Sequence, residues 1–321
     1  MFKTLRTALC VLGALLPAAL PSVATAGSYP VKPIQLIVPY GPGGDSDLTA
    51  RVWAEFAKQR LGQPVVVVNK AGGGGLAGTL AAAKARPDGY TLYLVQAGPV
   101  LILPQTASAG YTFDSFAYIA RIMIANCAVV VRADAPWKDL NEFGADAKTN
   151  PGKYIFATPG ATAWLTFAMR NWQSISGARL KQVEYQSGAE TINAVVGGHA
   201  DMNFMFPQTY APMVRAGKLK ILAIGAESKD FPDAPTFADL GIKGNYFGWA
   251  GIAAPKGTPR EIIDKLTAVT EDMSKDPAFA KAIENMGAMP DFTAGETWMR
   301  QLKEQQAEMT LVLGNLNMLK K

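Results

Sequence analysis

The chain has 321 residues, of which 49% are hydrophobic and 18% are charged. These proportions exclude a disordered or coiled-coil protein, and the length suits two globular domains better than one. The net charge is +5, yet the longest basic run is the terminal Lys320-Lys321 pair. Nucleic-acid-binding proteins concentrate such charge on one face, so the sequence predicts no nucleic-acid partner.

The first 26 residues have the three parts of a secretory signal peptide. Lys3 and Arg6 precede the apolar residues 8–20, and small residues lead to a cleavage site at Ala26. The apolar stretch is shorter than the ~20 residues that a membrane-spanning helix needs, which disfavours a transmembrane anchor. We therefore expect export to the periplasm, cleavage near Ala26 and an almost neutral mature chain.

Residues that enzymes and metal sites commonly use are scarce. The mature chain has one cysteine, Cys127, inside an apolar run, and one histidine, His199, after two glycines. Neither an internal disulfide nor a structural zinc site is expected from this pair. We interpret Cys127 as a core residue and His199 as part of a surface turn. No nucleophile elbow, metal-ligand cluster or phosphate-binding loop motif is present, so the sequence predicts no cofactor.

Apolar runs of strand length alternate with helical periodicity, which predicts an α/β fold built from βα units. The first strand covers residues 34–38, and Leu48, Val52 and Phe56 follow at helical spacing. Residues 65–68 are an unbroken valine run, which is typical of a strand buried on both faces, and an alanine-rich helix follows. Further strands are predicted at residues 91–95, 119–132, 154–158, 182–185, 201–206, 220–226 and 249–253. Further helices are predicted at residues 138–148, 162–176, 189–196, 260–274, 277–286 and 296–319.

Glycine and proline are concentrated where predicted strands end and helices begin, notably at residues 39–44 and 72–75. In parallel α/β folds such loops lie at the carboxyl edge of the sheet, where the free N–H groups of helix N-termini point toward a ligand. This arrangement favours an anion. Asp45 and Asp47 could supply acid–base chemistry at this edge, but we interpret them, with Ser46, as helix-capping residues.

Eight short segments, spread over almost the whole chain after the signal peptide, form a specific combination. They are residues 29–34 (YPVKPI), 38–47 (VPYGPGGDSD), 61–69 (LGQPVVVVN), 87–92 (PDGYTL), 150–153 (NPGK), 217–223 (GKLKILA), 232–237 (PDAPTF) and 254–259 (APKGTP). In this order they resemble the Bug-type substrate-binding proteins of tripartite tricarboxylate transporters. Members of that family are exported two-lobed proteins that close on small organic acids and deliver them to a membrane permease.

The resemblance implies a two-lobed periplasmic-binding-protein fold of type II, the Venus-flytrap arrangement, with mixed, mainly parallel sheets. We expect lobe 1 to combine residues 27–126 and 226–321, and lobe 2 to cover residues 127–225. The ligand is expected between the lobes, against the first strand-to-helix loop and the loop at residues 158–162. The expected ligand-binding residues are Tyr40, Gly43, Gly44, Ser46, Asp47, Gln96, Thr158, Gly160, Thr162, Trp164, Phe206 and Gln208.

The chain departs from the family pattern in the loop of the second lobe. Residues 158–164 read Thr-Pro-Gly-Ala-Thr-Ala-Trp, where the family usually has a serine- and glycine-rich segment followed by histidine. If Trp164 faces the cleft, with Phe206 at another strand end, ring stacking would suit an aromatic or larger apolar acid. The alternative is that Trp164 lies on the buried face of its helix, and the sequence leaves both open.

Two other classes of protein share parts of this pattern. A secreted α/β enzyme could use Ser46 or Asp47. The effector lobe of a LysR-type regulator has a similar architecture, although a signal peptide here stands where its helix-turn-helix should be. We favour an exported, monomeric solute-binding protein that captures a carboxylate and catalyses no reaction. Its expected partners are the permease subunits of a tripartite tricarboxylate transporter or a sensor protein.

Overall fold

A computed structural model describes residues 29–244 and 246–320 of the chain. The predicted signal peptide, residues 1–26, lies outside the described residues. Within the described ranges, no helix is both long enough and apolar enough to cross a membrane.

Strands and helices alternate along most of the described chain, as the hydrophobic periodicity predicts. The strands are β1 (Ile34–Val38), β2 (Val65–Asn69), β3 (Thr91–Val95), β4 (Phe116–Asn126), β5 (Ala128–Arg132), β6 (Ile155–Thr158), β7 (Lys181–Glu184), β8 (Met202–Met205), β9 (Leu219–Ile224), β10 (Phe247–Pro255) and β11 (Ala288–Ala294). The helices are α1 (Asp45–Leu61), α2 (Leu76–Ala83), α3 (Leu103–Thr106), α4 (Leu140–Thr149), α5 (Trp164–Ser176), α6 (Gly188–Val196), α7 (Pro207–Arg215), α8 (Arg260–Ser274), α9 (Pro277–Asn285) and α10 (Gly295–Asn315).

The strands form two mixed sheets, each the centre of one lobe. The first sheet has the order β11-β4-β10-β3-β1-β2 and, with α1–α3 and α8–α10, makes up lobe 1; the second has the order β7-β6-β8-β5-β9 and, with α4–α7, makes up lobe 2. Parallel pairing joins β1 to β2 and β3, and β6 to β7 and β8. The remaining pairs are antiparallel: β10 with β3 and β4, β4 with β11, and β5 with β8 and β9. Both sheets are therefore mixed.

The chain passes between the two sheets at adjacent points. The single strand predicted at residues 119–132 is two strands, β4 and β5, which belong to different sheets and meet at the buried Cys127. On the return, the N–H of Gly225 donates to the carbonyl of Cys127 over 3.0 Å. The side chain of Asn126 accepts a hydrogen bond from the N–H of Ala226 and donates one to its carbonyl, at 2.9 and 2.8 Å. The two crossing segments are thus tied to each other.

Two local predictions are wrong, and in both cases the tertiary arrangement explains the difference. The valine run of β2 is not buried on both faces, because β2 is an edge strand that pairs with β1 alone, and Val66 is 48% exposed. Helix α1 is not capped by Asp45 or Ser46. Its N-cap is Gly44, which provides no side-chain hydrogen bond, and Asp45 is the first helical residue.

Three elements were not predicted from the sequence, and proline obscured each of them. Helix α7 starts at Pro207 and contains Pro212, and α3 contains Pro104. Pro207 and Pro104 lie in the first turn of their helices, where the missing N–H of proline would have no partner, whereas Pro212 lies inside α7. Strand β11 contains Pro290, which an edge strand tolerates because one side of it makes no ladder hydrogen bonds.

Candidate functional site

A cavity lies between the lobes, at the strand ends that face each other across the cleft. Lobe 1 contributes Tyr40, Gly44, Asp45, Ser46, Gln96, Ala97, Gly98, Gly248 and Trp249. Lobe 2 contributes Pro159, Ala163, Trp164, Leu165, Gly188, Met205 and Phe206. In this conformation the cavity offers about 30 Å³ to water-sized molecules.

Four helices begin at this cavity. Gly44 precedes α1, Ala163 precedes α5, Phe206 precedes α7, and Gly188 is the first residue of α6. The residues that precede α1, α5 and α7 provide no side-chain cap, whereas Ser187 caps α6. The first turns of α1 and α5 have backbone N–H groups without a side-chain cap, whereas in the first turn of α7 the N–H of Thr209 faces the Asp45 carboxyl group. The helix dipoles add partial positive charge at all of these ends. Both lobes therefore present anion-favouring ends to one space.

Backbone contacts hold the lobes close together around the cavity. The N–H of Gly41 donates to the carbonyl of Gln186 over 2.9 Å. Gly160 sits so close to the other lobe that a Cβ atom added to it would lie 2.5 Å from the Cα of Gly74. The side-chain amide of Gln208 donates to the Thr49 hydroxyl over 3.4 Å. These contacts describe a closed cleft in which the glycines permit the approach.

Polar side chains in the cavity wall belong to lobe 1. The Ser46 hydroxyl donates to Oε1 of Gln96 over 2.9 Å, which orients the Gln96 amide. The Tyr40 hydroxyl donates to the carbonyl of Gly74 over 3.4 Å, and burial raises the pKa of Tyr40 well above 10. These neutral groups can donate hydrogen bonds to a ligand or accept them from it.

Asp45 is the acidic residue of the wall. Burial raises the pKa of its carboxyl from 3.8 to about 7, and Thr209, whose hydroxyl and N–H face it, offsets part of this rise. Its Oδ1 is buried and has no hydrogen-bond partner in the described part of the molecule. Helix α6 closes over it, because a Cβ atom on Gly188 would lie 2.8 Å from Oδ2 of Asp45.

Aromatic rings form the apolar part of the wall. Trp249 is held from behind, because its indole N–H donates to Gln305 over 3.0 Å and its ring lies 5.3 Å from that of Trp298. Phe206 packs over Gly248 so closely that a Cβ atom there would lie 2.0 Å from its ring. The site thus combines helix N-termini, neutral polar groups, one carboxyl group and apolar rings.

Residues 49–318 match the family described as the tripartite tricarboxylate transporter family receptor, TctC. The chain belongs to this family. Protein BugT of Bordetella pertussis is 31% identical to it over 272 residues, which are 83% of this chain and 83% of BugT.

Solved structures of similar proteins have the same fold. The periplasmic binding protein BugD is 28% identical, with a TM-score of 0.86, over 91% of this chain and 100% of BugD. MatC from Rhodopseudomonas palustris, solved with bound malate, is 25% identical, with a TM-score of 0.84, over 89% of this chain and 100% of MatC. The resemblance to Bug-type proteins and the two-lobed fold are confirmed. Membership of this family makes the protein a periplasmic solute-binding receptor.

Six of the twelve residues expected to bind ligand line the cavity, and the other six lie outside its wall. Those in the wall are Tyr40, Gly44, Ser46, Gln96, Trp164 and Phe206. Outside the wall, Asp47 accepts hydrogen bonds from the Gly43 N–H and from Arg51, both at 2.9 Å, and so braces the first loop. Thr158 and Thr166 share a hydrogen bond next to Gly160 in the loop of lobe 2. Thr162 donates across the cleft to Gly74 over 3.5 Å.

Both interpretations of Trp164 apply to the same side chain. It lies in the cavity wall, yet it is only 7% exposed and packs against Phe204 at a ring distance of 6.0 Å. The histidine and the cysteine of the mature chain lie outside the cavity wall, in a turn and in the core as predicted. His199 is exposed in a turn, and Cys127 is fully buried.

Sequence reasoning missed Asp45 and Trp249 as cavity residues. The sequence pattern predicts that Asp45 caps α1, whereas the structure places it inside the first turn of that helix. A run of small polar residues does not distinguish these two positions. Trp249 opens a predicted strand. Only the antiparallel pairing of β10 with β3 and β4 brings it to the cleft.

Proposed function

We propose that this protein captures a small organic acid in the cleft between its lobes and delivers it to a tripartite tricarboxylate-type transporter in the membrane. The observation that carries the proposal is the convergence of four helix N-termini from both lobes on one cavity, three of them uncapped. Such ends bind carboxylates through backbone N–H groups without a basic side chain. Capture at a closing interface buries the ligand between both sets of donors.

The moving units of this proposal are the two lobes, with boundaries at residues 126–127 and 225–226. Paired crossing segments of a few residues can absorb the backbone rotation of hinge closure while each sheet moves as a rigid body. The tie between Asn126 and Ala226 keeps the two crossings together, so that they act as one hinge.

The likeness to MatC supports a carboxylate as the cargo, because that relative was solved with malate. Trp164, Phe206 and Trp249 extend the range to apolar or aromatic acids, since aromatic rings stack on one another and on flat apolar groups. We further propose that the mature protein starts after Ala26, works as a monomer in the periplasm, and releases its ligand chemically unchanged.

The test is a thermal-shift screen of purified, ligand-free protein against malate, succinate, adipate and benzoate, with a sugar and a simple amine as comparison classes. A ligand present at about 100 times its Kd stabilises the folded state by about 2.7 kcal/mol, which is a readily measured rise in Tm. The bound acid is then recovered and compared with the input by NMR. A rise in Tm with the sugar or amine alone, or conversion of the acid, would overturn the proposal.

A variant with a filled cavity distinguishes ligand binding in the cleft from ligand binding elsewhere on the protein. Gly188→Val places methyl groups where even a Cβ atom lies 2.5 Å from Met205 and 2.8 Å from Asp45, so it should fill the cavity and abolish the rise in Tm. Gly217→Ala is the control, because it strains the backbone at a φ of +67° but places no atom within 4 Å of its added Cβ atom, so it should leave the ligand response intact. Equal ligand responses in both variants would place the acid outside the cleft.

A further inference from the structure

A second cavity lies between the lobes, and the proposed function makes no use of it. Phe167 and Ala168 of α5, in lobe 2, line one side of it, and Met309 and Val312 of α10, in lobe 1, line another. We call it the α5–α10 cavity. It offers about 140 Å³ to water-sized molecules. Because apolar cavities of about 150 Å³ admit benzene, this space has the size of one aromatic ring.

The inner part of the α5–α10 cavity consists of aromatic side chains. Trp164, Phe167 and Tyr246 line it, and all three are buried. The ring of Tyr246 is held in place, because it stacks on Phe237 with a centroid distance of 3.6 Å and an interplanar angle of 5°. Aromatic rings pack favourably on one another in offset-stacked or edge-to-face contacts. The size and the lining of the cavity therefore suit an aromatic ligand.

The outer part of the α5–α10 cavity is polar. Glu308 is exposed there, and Asn171 and Gln305 are half-buried. The Oε1 atom of Gln305 accepts the indole N–H of Trp249 over 3.0 Å, so the NH₂ group of Gln305 can donate to a ligand. Neutral groups that both donate and accept hydrogen bonds match these side chains.

The charge of the lining selects against organic acids. Among the described residues that line the α5–α10 cavity, none is lysine, arginine or histidine. A carboxylate ligand would approach Glu308 without a compensating cation, and like charges in contact oppose binding. The cargo cavity, where helices begin, favours an anion instead. The two cavities therefore suit ligands of different charge.

Shared residues connect the α5–α10 cavity to the cargo cavity. Trp164 lines both, and Gln305 of the second cavity holds Trp249 of the first. Because both lobes contribute walls, a ligand in the α5–α10 cavity makes its full set of contacts only when the lobes are together. A ligand that binds one arrangement better shifts the population toward it. Its presence should favour the arrangement that also encloses the cargo, and this coupling is reciprocal.

We propose that the α5–α10 cavity is a second binding site, which takes a small neutral aromatic molecule and strengthens cargo binding by holding the lobes together. The ligand of this site is distinct from the cargo. The site itself is independent of the proposed function, whereas its effect on cargo affinity rests on that function.

Benzamide and benzoate are matched probes, because they share one ring and differ in charge. Isothermal titration calorimetry of the ligand-free protein should show that benzamide binds. Val312→Phe places a ring in the α5–α10 cavity and should weaken benzamide binding at least about tenfold. Leu311→Phe is the matched control, because Leu311 is 72% exposed on the same helix and does not line the cavity. It should leave benzamide binding unchanged.

Ala168→Leu fills the same cavity from the opposite lobe and should cause the same loss of benzamide binding. The two filled variants are independent, so the test survives if one of them does not fold, as judged by circular dichroism. Neither variant should weaken the binding of benzoate, because the α5–α10 cavity is not its site.

The effect on the cargo is measured with whichever of malate, succinate and adipate gives the largest rise in Tm. At saturating benzamide the affinity for this acid should rise at least about fivefold in the wild type, but not in Val312→Phe. Unchanged affinity in the wild type would overturn the coupling between the sites.

Other results would overturn the second site itself. These are a lack of benzamide binding to the wild type, equal benzamide affinity in the filled variants and in Leu311→Phe, or competition between benzamide and the acid, which would place both in the cargo cavity. If benzamide bound in the expected pattern while no acid of the thermal-shift panel bound, the second site would stand and the proposed function would fail.

Discussion

The carboxyl group of Asp45 should reduce the stability of the ligand-free protein at neutral pH, and Asp45→Asn should restore it. In the folded protein the pKa of Asp45 is raised from 3.8 to about 7 by burial. Between these values the folded state holds a proton that the unfolded chain has released. The free energy of unfolding therefore falls as the pH rises through this window, by about 1.4 kcal/mol per pH unit and about 4 kcal/mol in total.

Asparagine cannot ionise, so the variant avoids this loss. At about pH 8 we expect Asp45→Asn to be more stable than the wild type by up to about 4 kcal/mol, and at about pH 4 the two should be equal. The assay is urea denaturation, followed by circular dichroism, of both proteins over this pH range after ligand has been removed by unfolding and refolding.

Asp47→Asn is a control with the opposite expected sign. Burial alone would raise the pKa of Asp47, but hydrogen bonds from Arg51 and Gly43 hold it below 3.8, so its charged form stabilises the fold. Its replacement should destabilise the protein by about 1–3 kcal/mol at pH 7. The difference should shrink as the pH falls through the folded-state pKa of Asp47. Parallel pH profiles for wild type and Asp45→Asn, or a less stable Asp45→Asn protein at pH 8, would refute the reasoning.

Three further predictions concern closure, the hinge and the core. Gly160 has a φ of +145°, and a Cβ atom added to it would lie 2.5 Å from Gly74 of the opposite lobe. Gly160→Ala should therefore weaken ligand binding, measured by calorimetry, at least about tenfold. Gly217→Ala, measured in the same way, should not weaken it. Asn126→Ala removes two hydrogen bonds between the crossing segments and should lower the free energy of unfolding by about 1–3 kcal/mol in urea; unchanged stability would count against the tie. Cys127 is fully buried and burial raises its thiol pKa, so it should react with a thiol reagent only after denaturation; rapid labelling of the native protein would contradict its place in the core.

The order of the elements and the loops of the site could be predicted from the sequence, because both depend on local patterns. Hydrophobic periodicity placed the predicted strands and helices within a few residues of their positions, except that the strand predicted at residues 119–132 is the two strands β4 and β5. Glycine and proline marked the strand-end loops that became the cavity wall. The elements that the sequence missed are those in which proline masks the pattern, as in α7 and β11.

The lobe-level arrangement depends on pairing that local patterns do not encode. The valine run of β2 reads as a central strand, yet its place at the sheet edge is decided by which strands pair. Trp249 reaches the cleft because β10 runs antiparallel between β3 and β4, two strands distant in sequence. Neither fact has a signature within a window of ten residues.

By itself, the sequence determined an α/β chain whose glycine-rich strand ends form a ligand site, and it carried enough family motifs to identify the class of protein. Only the tertiary structure decided the character of Asp45. Its burial comes from α6 and α7, whose residues Gly188 and Thr209 lie more than 140 positions away along the chain. That burial raises its pKa, although the hydrogen bonds from Thr209 offset part of the rise. A carboxyl group's charge depends on the solvent and partners around it, and these are properties of the folded molecule.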